Sequence, residues 1–288
     1  MVWINAILQG VLLGGLYALF AAGLSLMFGV MRFINLAHGD FIVVAAYMAL
    51  CTVDVVGFNP FAAVLLIVPA MALAGYLLQR FLFNRVLGQD ILPPVLVTFG
   101  LSIVLQNVLL EYFGGNSQRL SAGALETASL SLGPNVAIGA LPMLMFTAAV
   151  LVILLLGLIS YHTPIGRMLR ATADDPETVG LMGANNAHTF AIATAIATAV
   201  VAIAGGLFAM RTNFDPSAGP IRLLFAFEVV IIGGLGSLWG TLAGGIVLGI
   251  AQTVGGQIDP RFQLLAGHLI FLAILAARPQ GLLSKGTP

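Results

Sequence analysis

The chain has 288 residues, 60% hydrophobic and 8% charged, against about 25% charged in a soluble domain. Its formal net charge is zero, so no basic surface points to nucleic acid as a partner. The single Cys51 lies in an apolar context and cannot form an internal disulfide.

Charge is segregated along the chain. Residues 1–31, 55–79, 91–110, 127–166, 178–210, 229–258 and 262–277 carry no Asp, Glu, Lys or Arg. A transmembrane helix needs about 20 mostly apolar residues, and most of these gaps reach that length. The apolar runs are continuous, whereas barrel strands alternate apolar and polar. The expectation is an all-α polytopic protein lying in the lipid bilayer: one transmembrane domain over 1–288, with about 8–9 transmembrane or re-entrant helices.

Helices are expected near 6–30, 38–54, 60–82, 91–113, 138–160, 187–210, 222–235, 240–256 and 262–277. The first has no Lys or Arg before it and is too long for a signal-peptide core, so it reads as a retained span. Between the first two stands "FINLAHGDF", residues 33–41, with Asn35, His38, Gly39 and Asp40. Ionisable groups in a membrane segment usually face a bundle interior or a water-filled cavity. Three roles are open to them. They bond backbone groups at a helix start, with Asn35 as an N-cap. They line the path or an inner gate. Or they form a catalytic or proton-relay pair. A polar joint at the base of a pathway is the favoured reading.

In the fourth span Thr98, Ser102 and Gln106 stand four apart and share one face. That stripe, with Asn107, faces other helices or a pore rather than lipid. The segment 114–137 is small, polar and turn-rich, suited to capping the outer face or touching a partner. The loop at 161–187 is the most charged part, with Arg167, Arg170, Asp174, Asp175 and Glu177. Thr163-Pro164 and Asp175-Pro176 are N-cap and N1 pairs, and Gly183 is a stop. A short helix near 176–182 is expected, with Val179, Leu181 and Met182 as an apolar face. That face lies on the membrane interface or on the chain's own helices, or it docks a partner. The run "VVIIGGLGSLWGTLAGGIVLG" is two short spans or a re-entrant hairpin, and its Gly233 and Gly234 either border the path or let helices approach closely. Glu228 is an isolated carboxylate, neutral or paired with Arg222 or Arg211.

Orientation follows from basic residues in short loops. With 161–187 cytoplasmic, Arg32, Arg80, Arg85, Arg167, Arg170, Arg278 and Lys285 fall inside and Arg119, Arg211, Arg222 and Arg261 outside, seven against four. The N-terminus is then outside and the C-terminus cytoplasmic.

The stretches "GLYALFAAGLSLMFGVMRFINLAHGDF", "GRMLRATADDPETVGLMGAN" and "IIGGLGSLWGTLAGG", with the closing "RPQGLL", come in an order and spacing that resembles the LivH-type permeases of branched-chain amino acid ABC importers. The resemblance runs end to end. It implies a location in the bacterial inner membrane and a second permease of LivM type. It also implies two cytoplasmic ATP-binding subunits and an extracytoplasmic substrate-binding protein. Carried over by position, Arg167, Arg170, Ala171, Asp175, Pro176 and Gly183 would be coupling residues. The chain contains no GxxxxGK[ST] phosphate loop, so ATP and Mg would be bound by the partner ATPases and this chain would need no cofactor.

An ion-gradient-driven secondary transporter, using Asp40 or Glu228, is the alternative. Many such folds contain two repeated halves, and only a faint echo links "GLSLMFGVMRFINLAHG" with "GGLFAMRTNFDPSAG". An enzyme is the weakest reading, since neither HExxH nor GxSxG occurs.

Overall fold

A computed structural model of the chain describes residues 2–88, 90, 92–133 and 136–283. Lys285, counted above for orientation, lies outside the described residues. Among the described residues, nine membrane-type helices appear where the apolar runs predict them. They are α1 (Val2–Met31), α2 (His38–Val56), α3 (Pro60–Phe81), α4 (Leu92–Phe113), α5 (Ala140–His162), α8 (Asn186–Arg211), α9 (Gly219–Gly233), α10 (Leu238–Ile258) and α11 (Phe262–Ala277). Seven of the described helices are long and apolar enough to cross a bilayer. With 15 and 16 residues, α9 and α11 are shorter.

The described residues of 114–139 are more structured than the composition suggests. Two paired antiparallel strands, β1 (Ser129–Gly133) and β2 (Val136–Gly139), precede α5. Glu126 accepts from the Ala122 amide and pairs with Arg119. Leu120 is buried, and its amide donates to the Ala209 carbonyl at the end of α8.

Lipid tails are as apolar as leucine, so close packing rather than hydrophobic burial must join these helices. The sequence supplies small residues for it. Gly10 and Gly14 on α1 face Gly245 and Gly249 on α10, and a Cβ at any of the four would meet the opposite backbone. As α1 proceeds its contacts run backwards along α10, from Thr253 beside Gly10 to Gly236 beside Gly29, so the pair is antiparallel. The α3–α8 pair repeats this arrangement, with Val64 against Gly206 and Gly75 against Thr198. The close-approach reading therefore accounts for most of the glycine-rich run.

Two helices start inside the bundle. Arg32 adopts a left-handed conformation (φ 50°) and turns the chain back after α1. Residues 32–37 then re-enter, and α2 begins at His38, level with Phe20. Phe20 is eleven residues, about 16 Å, from the end of α1. On the other side α8 ends at Arg211, residues 212–218 fold inward, and α9 begins beside α2. A Cβ on Gly39 would strike the Gly219 carbonyl. From this meeting point α2 leads toward the α3 start and α9 toward the end where α1 stops. Each of the two stretches of the faint sequence echo contains one of these breaks. In the run at 229–249 a tight turn at 234–237 joins the 15-residue α9 to α10, which is long and apolar enough to cross a bilayer, an arrangement closer to two short spans than to a hairpin that never crosses.

Candidate functional site

The meeting point of α2 and α9 is polar. His38 and Asp40 are both 1% exposed. His38 Nε2 donates to the Phe20 carbonyl at 2.8 Å, which fixes its tautomer and aims the ring at α1. Asp40 lies on a different face, where Gln106 Nε2 donates to its Oδ1 at 3.0 Å and also contacts Ser102 Oγ at 3.0 Å. Two steps apart on one helix with separate partners, His38 and Asp40 do not form a dyad. The catalytic or proton-relay reading is set aside on that geometry.

Asn35 is not the N-cap of α2. Its Oδ1 accepts from the Ala37 amide at 3.0 Å, closing a tight turn before the helix, and Ala37 takes the cap position with no side-chain bond. The Leu36 amide donates to Thr98 Oγ1, whose hydroxyl donates to the Pro94 carbonyl. The α4 stripe therefore faces the re-entrant segment: Thr98 holds the loop, and Ser102 and Gln106 hold Asp40. Asn107 departs from it, exposed and bonded to its own Ile103 carbonyl. Gln106 and Asn107, with Asp215 and Ser217 from the 212–218 segment, border a cavity of about 170 Å³ next to the seam.

Arg211 and Arg222 do not lie in an external loop. Arg222 stands in the first turns of α9, with Cζ 4.5 Å from the Phe208 ring centroid, where cation–π attraction partly offsets desolvation. Glu228 pairs with neither arginine; its partner is His268 of α11. Beside them Tyr17 on α1 donates to Gln252 on α10 at 2.5 Å. Gly219, His268 and Gln252 carry no recognisable motif. Of these only Gly219 had a sequence signal, the echo around residues 205–219.

Gly233 and Gly234 lie elsewhere. They form the α9–α10 turn, about 20 Å along α9 from Gly219, beneath the chain at 281–283. The structure brings together Asn35, His38, Gly39, Asp40, Thr98, Ser102 and Gln106, but not these two.

The charged segment at 161–187 folds into two helices, α6 (Pro164–Asp174) and α7 (Pro176–Leu181), where one short helix was expected. Thr163 Oγ1 caps α6 through the Gly166 amide, and Asp175 Oδ1 caps α7 through the Glu177 and Thr178 amides. The Thr178 hydroxyl donates to the second oxygen of Asp175. That bond first, then the backbone amides, holds the Asp175 carboxyl below its ordinary pKa. Gly183 stops α7 at φ 89°. Arg167, Ala171, Asp175, Pro176 and Gly183 are exposed, and Arg170 is half-buried. Of the expected apolar face, Leu181 and Met182 are 89% and 82% exposed and uncovered, while Val179 is half-buried.

The chain matches the family described as branched-chain amino acid transport system / permease component over residues 6–277. It is 28% identical to the high-affinity branched-chain amino acid transport system permease protein BraD of Pseudomonas aeruginosa, covering 98% of this chain and 96% of that protein. It is 25% identical to LivH of Escherichia coli, the permease protein of a high-affinity branched-chain amino acid transport system, over 98% and 96%. It is 28% identical to the fructose import permease protein FrcC of Rhizobium meliloti, over 76% of this chain and 62% of that one. No solved structure matches the chain.

Proposed function

The chain belongs to the family of branched-chain amino acid transport system permease components, and we propose that it forms half of the translocation path of an ABC importer for branched-chain or related small amino acids. It is a multi-pass membrane transport subunit, not an enzyme. The reading places it in the bacterial inner membrane beside a second permease of LivM type, with an extracytoplasmic protein delivering substrate. Two cytoplasmic ATP-binding subunits supply ATP and Mg. The likeness to both amino-acid and fructose permeases fits selection of substrate largely in the delivering protein.

The observation that carries the coupling half of the proposal is the uncovered apolar side of α7 beside exposed Arg167, Asp175 and Pro176. A capped helix that leaves Leu181 and Met182 in solvent needs a surface to bury them, and an ATPase groove supplies one. On this reading 161–187 lies inside the cell and the N-terminus outside. Moving Arg211 and Arg222 from the outer loops into the bundle sharpens the positive-inside bias.

The path half rests on the seam. A zwitterion arriving at the cavity beside Gln106 meets Asp215 for its ammonium group, and Gln106 links that cavity to the buried Asp40. The N-terminus of α9, which begins two residues after Ser217, has a dipole that favours negative charge and suits its carboxylate. His38, Asn35 and Thr98 hold the joint from which α2 pivots. The test is uptake in vesicles reconstituted with the co-purified subunits and delivering protein. Uptake that needs internal ATP supports the reading. Uptake driven by a proton or sodium gradient without ATP replaces it with a secondary transporter.

A further inference from the structure

Near the ends of α1 and α5, between them, α6 and the start of α10, lies a cavity of about 180 Å³. An engineered protein cavity of about 150 Å³ takes a benzene molecule, so a compact group of several heavy atoms fits here.

Three separate features of the wall suit an anion. Arg170 enters from α6, its Cζ 4.8 Å from the Tyr161 ring centroid. Its Nε is buried with no acceptor, and among the described residues no carboxylate pairs with it. Ser25 on α1 is fully buried, and its hydroxyl has no partner among the described residues. The first turn of α10, after its cap Ser237, also borders the space. Leading helix amides have no acceptor within the helix, and the dipole there favours negative charge.

Apart from Ser160, the rest of the wall, including Leu26, Val30 and Leu169, is apolar, and the exposed Trp239 also lines it. Aromatic rings and a basic group at the end of a helix bundle are the chemistry of the lipid headgroup level.

We propose that this cavity binds a phosphate-bearing anion, either the headgroup of an anionic phospholipid or phosphate from solution. Bound there, the anion ties α6 to α1 and α10 and stiffens the segment that carries Arg170. The site is independent of which substrate the permease carries.

The test measures binding of phosphatidylglycerol, phosphatidylcholine and inorganic phosphate, each labelled, to the delipidated full chain with its co-purified subunits. Two variants accompany the wild type. Arg170→Gln removes the charge. Gly157→Leu fills the space from α5, where an added Cβ meets nothing within 4 Å, so the backbone need not move. Saturable binding of phosphatidylglycerol or phosphate, at least about tenfold weaker in Gly157→Leu and in Arg170→Gln, is expected. Preference for phosphatidylglycerol over phosphatidylcholine without competition from phosphate assigns the lipid; competition by phosphate assigns the soluble anion. Equal binding of the two lipids together with no saturable binding of phosphate, no saturable binding of any of the three by the wild type, or undiminished binding by Gly157→Leu or by Arg170→Gln overturns the proposal.

Discussion

Gln106 donates to Asp40 across 3.0 Å, joining the middle of α4 to the first turn of α2 at a carboxylate that is 1% exposed. Asp40→Asn keeps the size and one acceptor oxygen but removes the charge. If the charge meets the substrate's ammonium group, uptake falls at least about tenfold while the amount of protein in the membrane stays unchanged. Transport assays paired with immunoblots of the membrane fraction decide this. Wild-type uptake by Asp40→Asn would show that the carboxylate serves only as a hydrogen-bond acceptor.

His38 tests the joint itself. His38→Ala leaves a hole between α1 and α2 and removes the bond to Phe20, whereas His38→Gln restores a donor of similar reach. The account expects His38→Ala to lower uptake more than protein level, and His38→Gln to recover part of the uptake. A His38→Ala protein missing from the membrane would give the residue a packing role instead.

Gly39 is required by proximity rather than by backbone conformation. The methyl group of Gly39→Ala would meet the Gly219 carbonyl and push α2 from α9. Overpacking of this kind costs about 1–3 kcal/mol. Gly100→Ala on α4 is the control, because its Cβ meets nothing within 4 Å and alanine favours helix by about 1 kcal/mol. Thermal unfolding in detergent should fall for Gly39→Ala and hold or rise for Gly100→Ala. Equal midpoints would contradict the close approach.

The Asp175 cap gives a pH prediction with a definite sign. Thr178 and the leading amides hold the carboxyl below its ordinary value, so the cap contributes fully above the unfolded pKa, about 4. Its contribution is lost only as pH falls through the lower, folded value. Protease accessibility of 176–183 should therefore stay constant from about pH 8 to pH 5 and rise only in stronger acid. Asp175→Asn should retain most of the protection and Asp175→Ala should lose it. Protection that declines between about pH 7 and pH 5 would point to another titrating group.

What was readable in the sequence follows from range. The Thr163 and Asp175 caps and the Gly183 stop involve atoms within a few residues, and residue type alone signals them. The apolar runs locate every long helix for the same reason. The re-entry of 32–37 and 212–218 was not legible, because it depends on Arg32 and on glycine contacts between α2 and α9. Pairings across the fold were hidden too. Tyr17 and Gln252 are 235 residues apart, Gln106 and Asp40 are 66 apart, and Glu228 and His268 are 40 apart. A lone glutamate next to two arginines suggests them as partners, and nothing local announces a histidine on a later helix. Thr163-Pro164 signals the start of α6, but its eleven residues, rich in polar and charged side chains, read as loop from composition alone.

The central claim is that the exposed side of α7 docks a cytoplasmic ATPase. The most direct measurement is affinity purification of the tagged chain from native membranes in mild detergent, with mass spectrometry of what it retains. Wild type is compared with a Leu181→Asp, Met182→Asp double variant. The account predicts that the wild type retains ATP-binding subunits and a second permease. The double variant should keep the permease and lose the ATPases. A wild-type chain that purifies without any ATP-binding subunit, or a double variant that keeps them undiminished, would contradict it.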